Sequence, residues 1–194
     1  NAYVTQASCS PFRSSIFTGL YPHQSGQVGL TYGNEFSMIK DIPNIFSFFN
    51  KNGYRTGIIG KFHVKPKEDF PFDYRPAIPP RDVIQMAEGA KKFINKGKKP
   101  FLLSVNYVDP HKNAYEGRSV FPDQVKGIPE NTYSAADVKA FGFQKINDQA
   151  QKEHIAGYYN SITRLDRGIG ALLEVFKEKK ILRNTVVIFL GDHC

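Results

Sequence analysis

The stretch FLLSVNYVDPH, Phe101 to His111, sets the architecture. Its first eight residues are largely apolar, which predicts a strand over Phe101–Val108 buried on both faces. Asp109-Pro110 stops it, and His111 follows at once. A strand covered on both faces needs helices on either side, and the flanking sequence supplies them. Residues 82–95 read as a helix closed by the loop NKGKKP. On the other side, Ile155, Tyr158, Ile162, Leu165, Ile169, Leu172 and Phe176 step by three and four residues, one apolar stripe on a helix from about Gln151 to Lys179. Further out, residues 12–18 read as a short helix. Ile42–Asn50 reads as another, with Ile45, Phe46, Phe48 and Phe49 toward a core and Asn52-Gly53 as its stop. Arg55–Ile59 is a short strand, and NTVVIFL, Asn184–Leu190, a second buried one. Helices alternating with apolar strands predict the α/β class, with a mostly parallel central sheet flanked by helices.

The 194 residues are enough for one domain with a core. The net charge is +8, which favours anionic partners. The cations are scattered, however, and the tightest cluster (Lys91, Lys92, Lys96, Lys98 and Lys99) reads as a solvated helix face and loop. No nucleic-acid motif is present, so an anionic substrate is the better reading than a nucleic acid. No run approaches the ~20 apolar residues of a membrane span. The 2 cysteines stand at opposite ends and do not make a disulfide scaffold. The chain opens at Asn1 without a basic-plus-apolar leader and closes directly after a strand-like run, so it is read as an internal fragment. The Pro/Gly-rich stretches 64–81 and 110–134 read as long loops.

The residues just past each strand carry the chemistry. Arg55–Ile59 leads to Gly60-Lys61-Phe62-His63, Phe101–Val108 to Asp109-Pro110-His111, and Asn184–Leu190 to Gly191-Asp192-His193. Open α/β sheets bind ligands outside the carboxyl ends of their strands. Three strands delivering histidine, lysine and carboxylate to that edge predict a polar site with anion- and metal-binding capacity. Asp192 and His193 suit a divalent metal but are too few to hold one alone; a helix cap beside an exposed histidine is the plainer alternative. Lys61 and His63, two apart, share a face if extended, and there could bind an anion and pass a proton, or simply lie on an exposed loop. Cys9 stands at the mouth of a helix with Arg13 one turn on, a setting for a nucleophile, although a single cysteine is more often buried structure.

Cys9-x-Pro11-x-Arg13 followed by Thr18-Gly19 resembles the signature of type I sulfatases. The family's second signature is matched by Gly53, Tyr54, Thr56, Gly60, Lys61 and His63. Asp109-Pro110-His111 is similar to its histidine-bearing loop, and Gly191-Asp192-His193 to its late metal-binding pair. The four motifs fall in family order. CSPFRSSIFTGLYPHQSG, RTGIIGKFHV with PFDY beyond it, and DPHK resemble the heparan N-sulfatase (sulfamidase) branch.

The resemblance implies an alkaline-phosphatase-like fold, with residues 1–194 as part of the catalytic domain, incomplete at both ends. It implies a sulfuric ester or sulfamate hydrolase acting on a sulfated sugar. Cys9 would be oxidised by a maturation enzyme to formylglycine, whose hydrate supplies the nucleophilic hydroxyl. Arg13 would hold that nucleophile, Lys61 and His111 would bind sulfate, His111 would protonate the leaving group, and His63 would assist the nucleophile. A calcium ion would take Asp192, His193 and the Cys9-derived group as ligands. Export (periplasmic or extracellular) or lysosomal delivery is implied in the same way. The family's paired metal-binding aspartates would precede Asn1, and a further sulfate-binding lysine would follow Cys194. Cys194 itself stands where the family has glycine, and Phe12 where serine is common. The alternatives are a phosphonate or phosphate ester hydrolase of the same superfamily, or a non-catalytic relative. The second would be marked by loss of Cys9, Arg13, Lys61 or His111, all of which are present.

Overall fold

The computed structural model describes residues 3–32, 35–115, 118–121, 127–128, 132–145 and 148–192. It divides into two compact units, one of Asn1–Pro76, Phe93–Ser104 and Thr185–Cys194, the other of Ala77–Lys92 and Val105–Asn184.

In the first unit, helix α1 spans Cys9–Thr18, three residues earlier than the sequence predicts. Pro11 is the reason the start is hard to read. Proline lacks only an N–H that goes unpaired in a first turn, so it sits inside the helix rather than before it. Gly19 ends α1 in the left-handed region and donates its N–H to Ser15 O at 2.8 Å. A single turn, α2 (Pro22–Ser25), follows. Helix α3 spans Ile45–Lys51 rather than starting at Ile42, because Asn44 caps it: its Oδ1 accepts from Ser47 N at 3.1 Å, and Ser47 Oγ accepts from Asn44 N at 3.2 Å.

Strand β1, Arg55–Gly60, lies as expected. It is held at Arg55 N by Pro100 O at 2.9 Å, and beside residues 73–74 by Ile58 N to Tyr74 O at 2.9 Å and Asp73 N to Thr56 O at 3.0 Å. Around it packs a core of Phe17, Met38, Phe46, Ile58, Phe62, Val64 and Phe70. Phe17 is ringed by Phe46, Phe62 and Phe70 at centroid distances of 5.3, 5.9 and 5.9 Å. Of the α3 residues expected inward, Phe46 is buried but Phe48 is 62% exposed.

Helix α4 spans Val83–Asn95, capped by Asp82, whose Oδ1 accepts from Gln85 N at 3.1 Å. Strand β2, Phe101–Asn106, pairs with β1. It is two residues shorter than predicted and half-buried throughout rather than buried on both faces. Among the described residues β1 is the one strand paired with it. Within the loop at 110–134, Asn113–Tyr115 (β3) and Arg118–Val120 (β4) form an antiparallel hairpin.

The second unit is dominated by α5, Gln149–Glu178, a 30-residue helix capped by Asp148, whose Oδ1 accepts from Gln151 N at 2.8 Å. Ile155 anchors a cluster with Ala156 and Val138. The rest of the predicted stripe is only half-buried until Phe176; the line that sinks deepest mid-helix is Ser161, Arg164 and Gly168. Residues 185–190 correct the sequence reading most. They are irregular rather than a buried strand, with Val186, Val187, Ile188, Phe189 and Leu190 between 53% and 88% exposed. The run has a core strand's composition but no neighbouring ladder among the described residues, and its backbone groups need one or turn to solvent.

Candidate functional site

Cys9 is the first residue of α1 and is buried. The site assembles around it. Lys61 lies immediately past β1, where Gly60 adopts φ +85 and turns the chain out of the strand. That turn brings Lys61 Nζ to 3.1 Å from Cys9 Sγ. Arg13, one turn along α1 from Cys9, reaches in two directions. Its Nη1 donates to Lys61 O at 3.0 Å, and its Nη2 to Asp192 Oδ2 at 2.8 Å. The Arg13 side chain is 10% exposed and that of Asp192 27%. One guanidinium thus joins the helix start, the strand end and the carboxylate near the chain's far end. Thiol, ammonium, guanidinium and carboxylate form a compact polar cluster with two cations to one carboxylate, which suits an anion beside Cys9.

His63 departs from the expected geometry. It adopts φ +60, a region that non-glycine residues rarely enter, so residues 61–63 are not extended and do not present one face. Its ring stacks on Tyr32 at 4.9 Å, and its carbonyl accepts from Thr31 Oγ1 at 3.4 Å. Thr31 N in turn donates to the buried Ser10 Oγ at 3.1 Å. Ser10, Thr31 and Tyr32 therefore support the Cys9–His63 region, and no motif pointed to them. A buried serine beside the cysteine was the one available signal.

His111 belongs to the second unit. Its N–H donates to Val108 O at 2.9 Å, closing a tight turn over Val108–His111, and the exposed ring has Nδ1 2.5 Å from Lys112 O. Beneath that turn the Asp109 side chain, 1% exposed, is held by two arginines, Arg81 and Arg164. Burial pulls the Arg81 guanidinium below the usual arginine range; the Asp109 carboxylate opposes the shift and Arg164 adds to it. Sequence reading took Asp109 as part of a motif and missed both arginines. Arg164 lies off the apolar stripe, on the buried line of Ser161 and Gly168, so the periodicity gave no signal for it.

His193 and Cys194 lie outside the described residues, so the Asp192–His193 pair does too. Among the described residues no group of three or more His, Cys, Asp or Glu side chains could hold a metal. Asp192 offers the kind of oxygen that calcium takes, but calcium needs about 6–8 such donors, so the described residues alone do not complete its shell. Among the described residues no helix is long and apolar enough to cross a membrane.

Comparison with known proteins agrees with the motif order. The family described as Sulfatase matches residues 1–194. Human N-sulphoglucosamine sulphohydrolase is 31% identical over 221 residues, covering 100% of this chain and 42% of the relative. An ulvan-active sulfatase of Formosa agariphila is 29% identical over 199 residues, covering 100% of this chain and 36% of the relative. The chain thus spans less than half the length of these two curated relatives. Among solved structures, a protein in complex with its substrate D-glucosamine-2-N,6-O-disulfate superposes with a TM-score of 0.66 at 16% identity, over 95% of this chain and 56% of that one. Ps i-CgsB in complex with k-i-k-neocarrahexaose superposes with a TM-score of 0.63 at 23% identity, over 93% of this chain and 47% of that one. These structures show the fold, a helix-flanked parallel sheet of the alkaline-phosphatase-like kind. With the family match running from the first residue to the last, and its cysteine motif opening α1, the chain belongs to the sulfatase family.

Proposed function

We propose that the protein carrying this chain removes sulfate from a sulfated sugar, as an ester or a sulfamate, with a nucleophile made from Cys9. The observation that carries the reading is the convergence of Lys61 Nζ, at 3.1 Å, on the Cys9 side chain, with Arg13 tied to Lys61 and Asp192. Two cations there can accept the charge of a sulfate group and hold it against residue 9. Likeness to N-sulphoglucosamine sulphohydrolase supports an N-sulfated glucosamine as substrate class.

In this reading a maturation enzyme oxidises Cys9 to formylglycine with loss of the cysteine sulfur, and one hydroxyl of the hydrated aldehyde, its proton drawn off with the help of His63, attacks the sulfur of the sulfate group. The bond from sulfur to the leaving oxygen or nitrogen breaks, and His111 gives that atom its proton. The second hydroxyl then loses its proton, with His63 the nearest base along the chain from Lys61. The carbon–oxygen bond breaks, sulfate departs, and the aldehyde is restored. Covalent catalysis divides one displacement into two easier steps. Calcium, taken by Asp192 with His193, would supply Lewis-acid charge to a sulfate oxygen. An exported or lysosomal setting goes with this reading.

The test is mass spectrometry of the tryptic peptide ending at Arg13, from full-length protein expressed with a formylglycine-generating enzyme. An aldehyde or its hydrate at position 9 supports the reading. An intact thiol, under conditions that convert a control sulfatase, defeats it. A phosphonate monoesterase is the second reading, since the same cluster binds either anion; faster turnover of an aryl phosphonate than of an aryl sulfate would favour it.

A further inference from the structure

Asp109 has 1% of its side chain exposed, yet it carries two guanidiniums. Arg164, wholly buried, grips it with two parallel bonds, Nε to Oδ2 at 2.5 Å and Nη2 to Oδ1 at 2.7 Å. Arg81 donates Nη1 to Oδ1 of the same carboxylate and Nη2 to the main-chain carbonyl of His111 at 2.6 Å. A buried ion cluster of this kind is a weak source of stability, because desolvating its charges offsets most of their attraction and apolar residues would serve as well. Fixed geometry is what it offers instead.

That geometry converges on one short turn. His111 N–H to Val108 O closes the turn from inside, and Val108 N reaches Pro80 O at 3.4 Å, next to Arg81 in sequence. Arg81 grips the same turn at the His111 carbonyl. The ring Nδ1 faces Lys112 O at 2.5 Å, which leaves Nε2 as the nitrogen for a ligand. A planar guanidinium can hold a carboxylate and a carbonyl at once, whereas an ammonium on a flexible stem holds neither in a fixed direction.

We propose that Arg81 is a positioning residue: with Asp109 locked by Arg164 as its anchor, it sets the His111 backbone, and so the direction of the His111 ring, for proton donation to the leaving group. The proposal rests on the reading of His111 as that donor. It assigns Arg81 and Arg164 no contact with substrate.

The test uses the full-length matured protein and two aryl sulfates, phenyl sulfate and para-nitrophenyl sulfate. Phenoxide needs a proton as it leaves; para-nitrophenoxide scarcely does. A misdirected donor therefore slows the first selectively, while a merely structural defect lowers both alike. His111→Asn is the reference variant, and general acid catalysis is worth about a hundredfold or more on the demanding substrate. Arg81→Lys is expected to lose about tenfold or more in kcat on phenyl sulfate, a fraction of that full contribution, with KM unchanged and little loss on para-nitrophenyl sulfate. Arg164→Lys should lose in the same direction by less. Added guanidinium should restore part of the phenyl sulfate rate to Arg81→Ala.

If His111→Asn shows no difference between the substrates, the reading of His111 has failed. If His111→Asn discriminates while Arg81→Lys and Arg164→Lys slow both substrates equally, or neither, the positioning role is overturned and the reading of His111 stands. Failure of both lysine variants to fold would assign the cluster to stability and likewise overturn the proposal.

Discussion

Replacing Phe17 by alanine should cost the first unit a large share of its stability while leaving the chemistry of residue 9 in place. The side chain is 4% exposed and lies two turns along α1 from Cys9, with three phenylalanine rings around it. Deleting a buried phenylalanine costs about 3–5 kcal/mol, the upper end applying where neighbours cannot close the void. Here they are held from behind: Phe46 packs on Phe72 at 4.6 Å, and Phe62 on Phe70 at 4.9 Å and Phe72 at 5.3 Å. The void should persist, which puts Phe17→Ala near ~4 kcal/mol. Phe17→Leu keeps most of the volume but loses three ring contacts, each worth about 0.5–1.5 kcal/mol, and should fall between wild type and alanine. Ile16, the next residue back, is 41% exposed, so Ile16→Ala should stay within about 1 kcal/mol of wild type. Urea titration followed by circular dichroism and tyrosine fluorescence reads all three. With a slope of about 2 kcal/mol per molar urea, Phe17→Ala should lower the midpoint by about 2 M. A shift below about 0.5 M, or one no larger than that of Ile16→Ala, would refute the claim that this ring cluster holds α1.

Three further outcomes are expected. A Cβ at Gly168 would lie 2.7 Å from Val83 Cβ and 3.0 Å from Tyr107 Cε1, in a place where Tyr107 Oη donates to Gly168 O at 3.0 Å. Gly168→Ala should therefore destabilise by about 1–3 kcal/mol despite the better helix propensity of alanine, and a raised Tm would contradict this. Burial, and after it the charge of Lys112, holds the His154 imidazole below its ordinary value, so the unfolded chain takes up that proton more readily than the folded one. Its contribution should be intact above about pH 6.5 and lost as pH falls through the lower folded value; an NMR titration midpoint at or above 6.5, or no upward move in Lys112→Gln, would count against it. Residues 186–190 combine exposure, high β propensity and no charge, a template for pairing between copies. Ile188→Lys should reduce self-association by light scattering without lowering Tm, since Ile188 is 74% exposed; unchanged association would locate the sticky surface elsewhere.

The helices were legible because their signals are local. Periodicity gave α4 and α5 to within about two residues, and β1 was read from a short apolar run between Gly53 and Gly60. Burial was harder to read, because it depends on what lies opposite. NTVVIFL and FLLSVN look alike in sequence, yet one is exposed and the other half-buried, since only the second has a paired neighbour among the described residues. The site divides in the same way. Cys9, Arg13, Lys61 and Asp192 came from motif spacing and are found together. Arg81 and Arg164, 28 and 55 residues from Asp109, left no spacing to find. Nor did the left-handed turn at His63, which belongs to a backbone fixed by its surroundings rather than to any preference of histidine.

The bond from Arg13 to Asp192 spans 179 residues, nearly the whole chain. At a synthesis rate of about 5–20 residues per second, the start of α1 is made about 10–35 seconds before its carboxylate partner exists. Contacts this distant in sequence close late, after the entropy of the intervening loop has been overcome. Until then Cys9, only 6% exposed in the finished fold, stands at the end of an unsealed helix. In the reading proposed above, the maturation enzyme that must reach that side chain would work against a clock set by this 179-residue separation. Slowing translation beyond Lys61 widens the interval, and any change that lets the first unit close early shortens it.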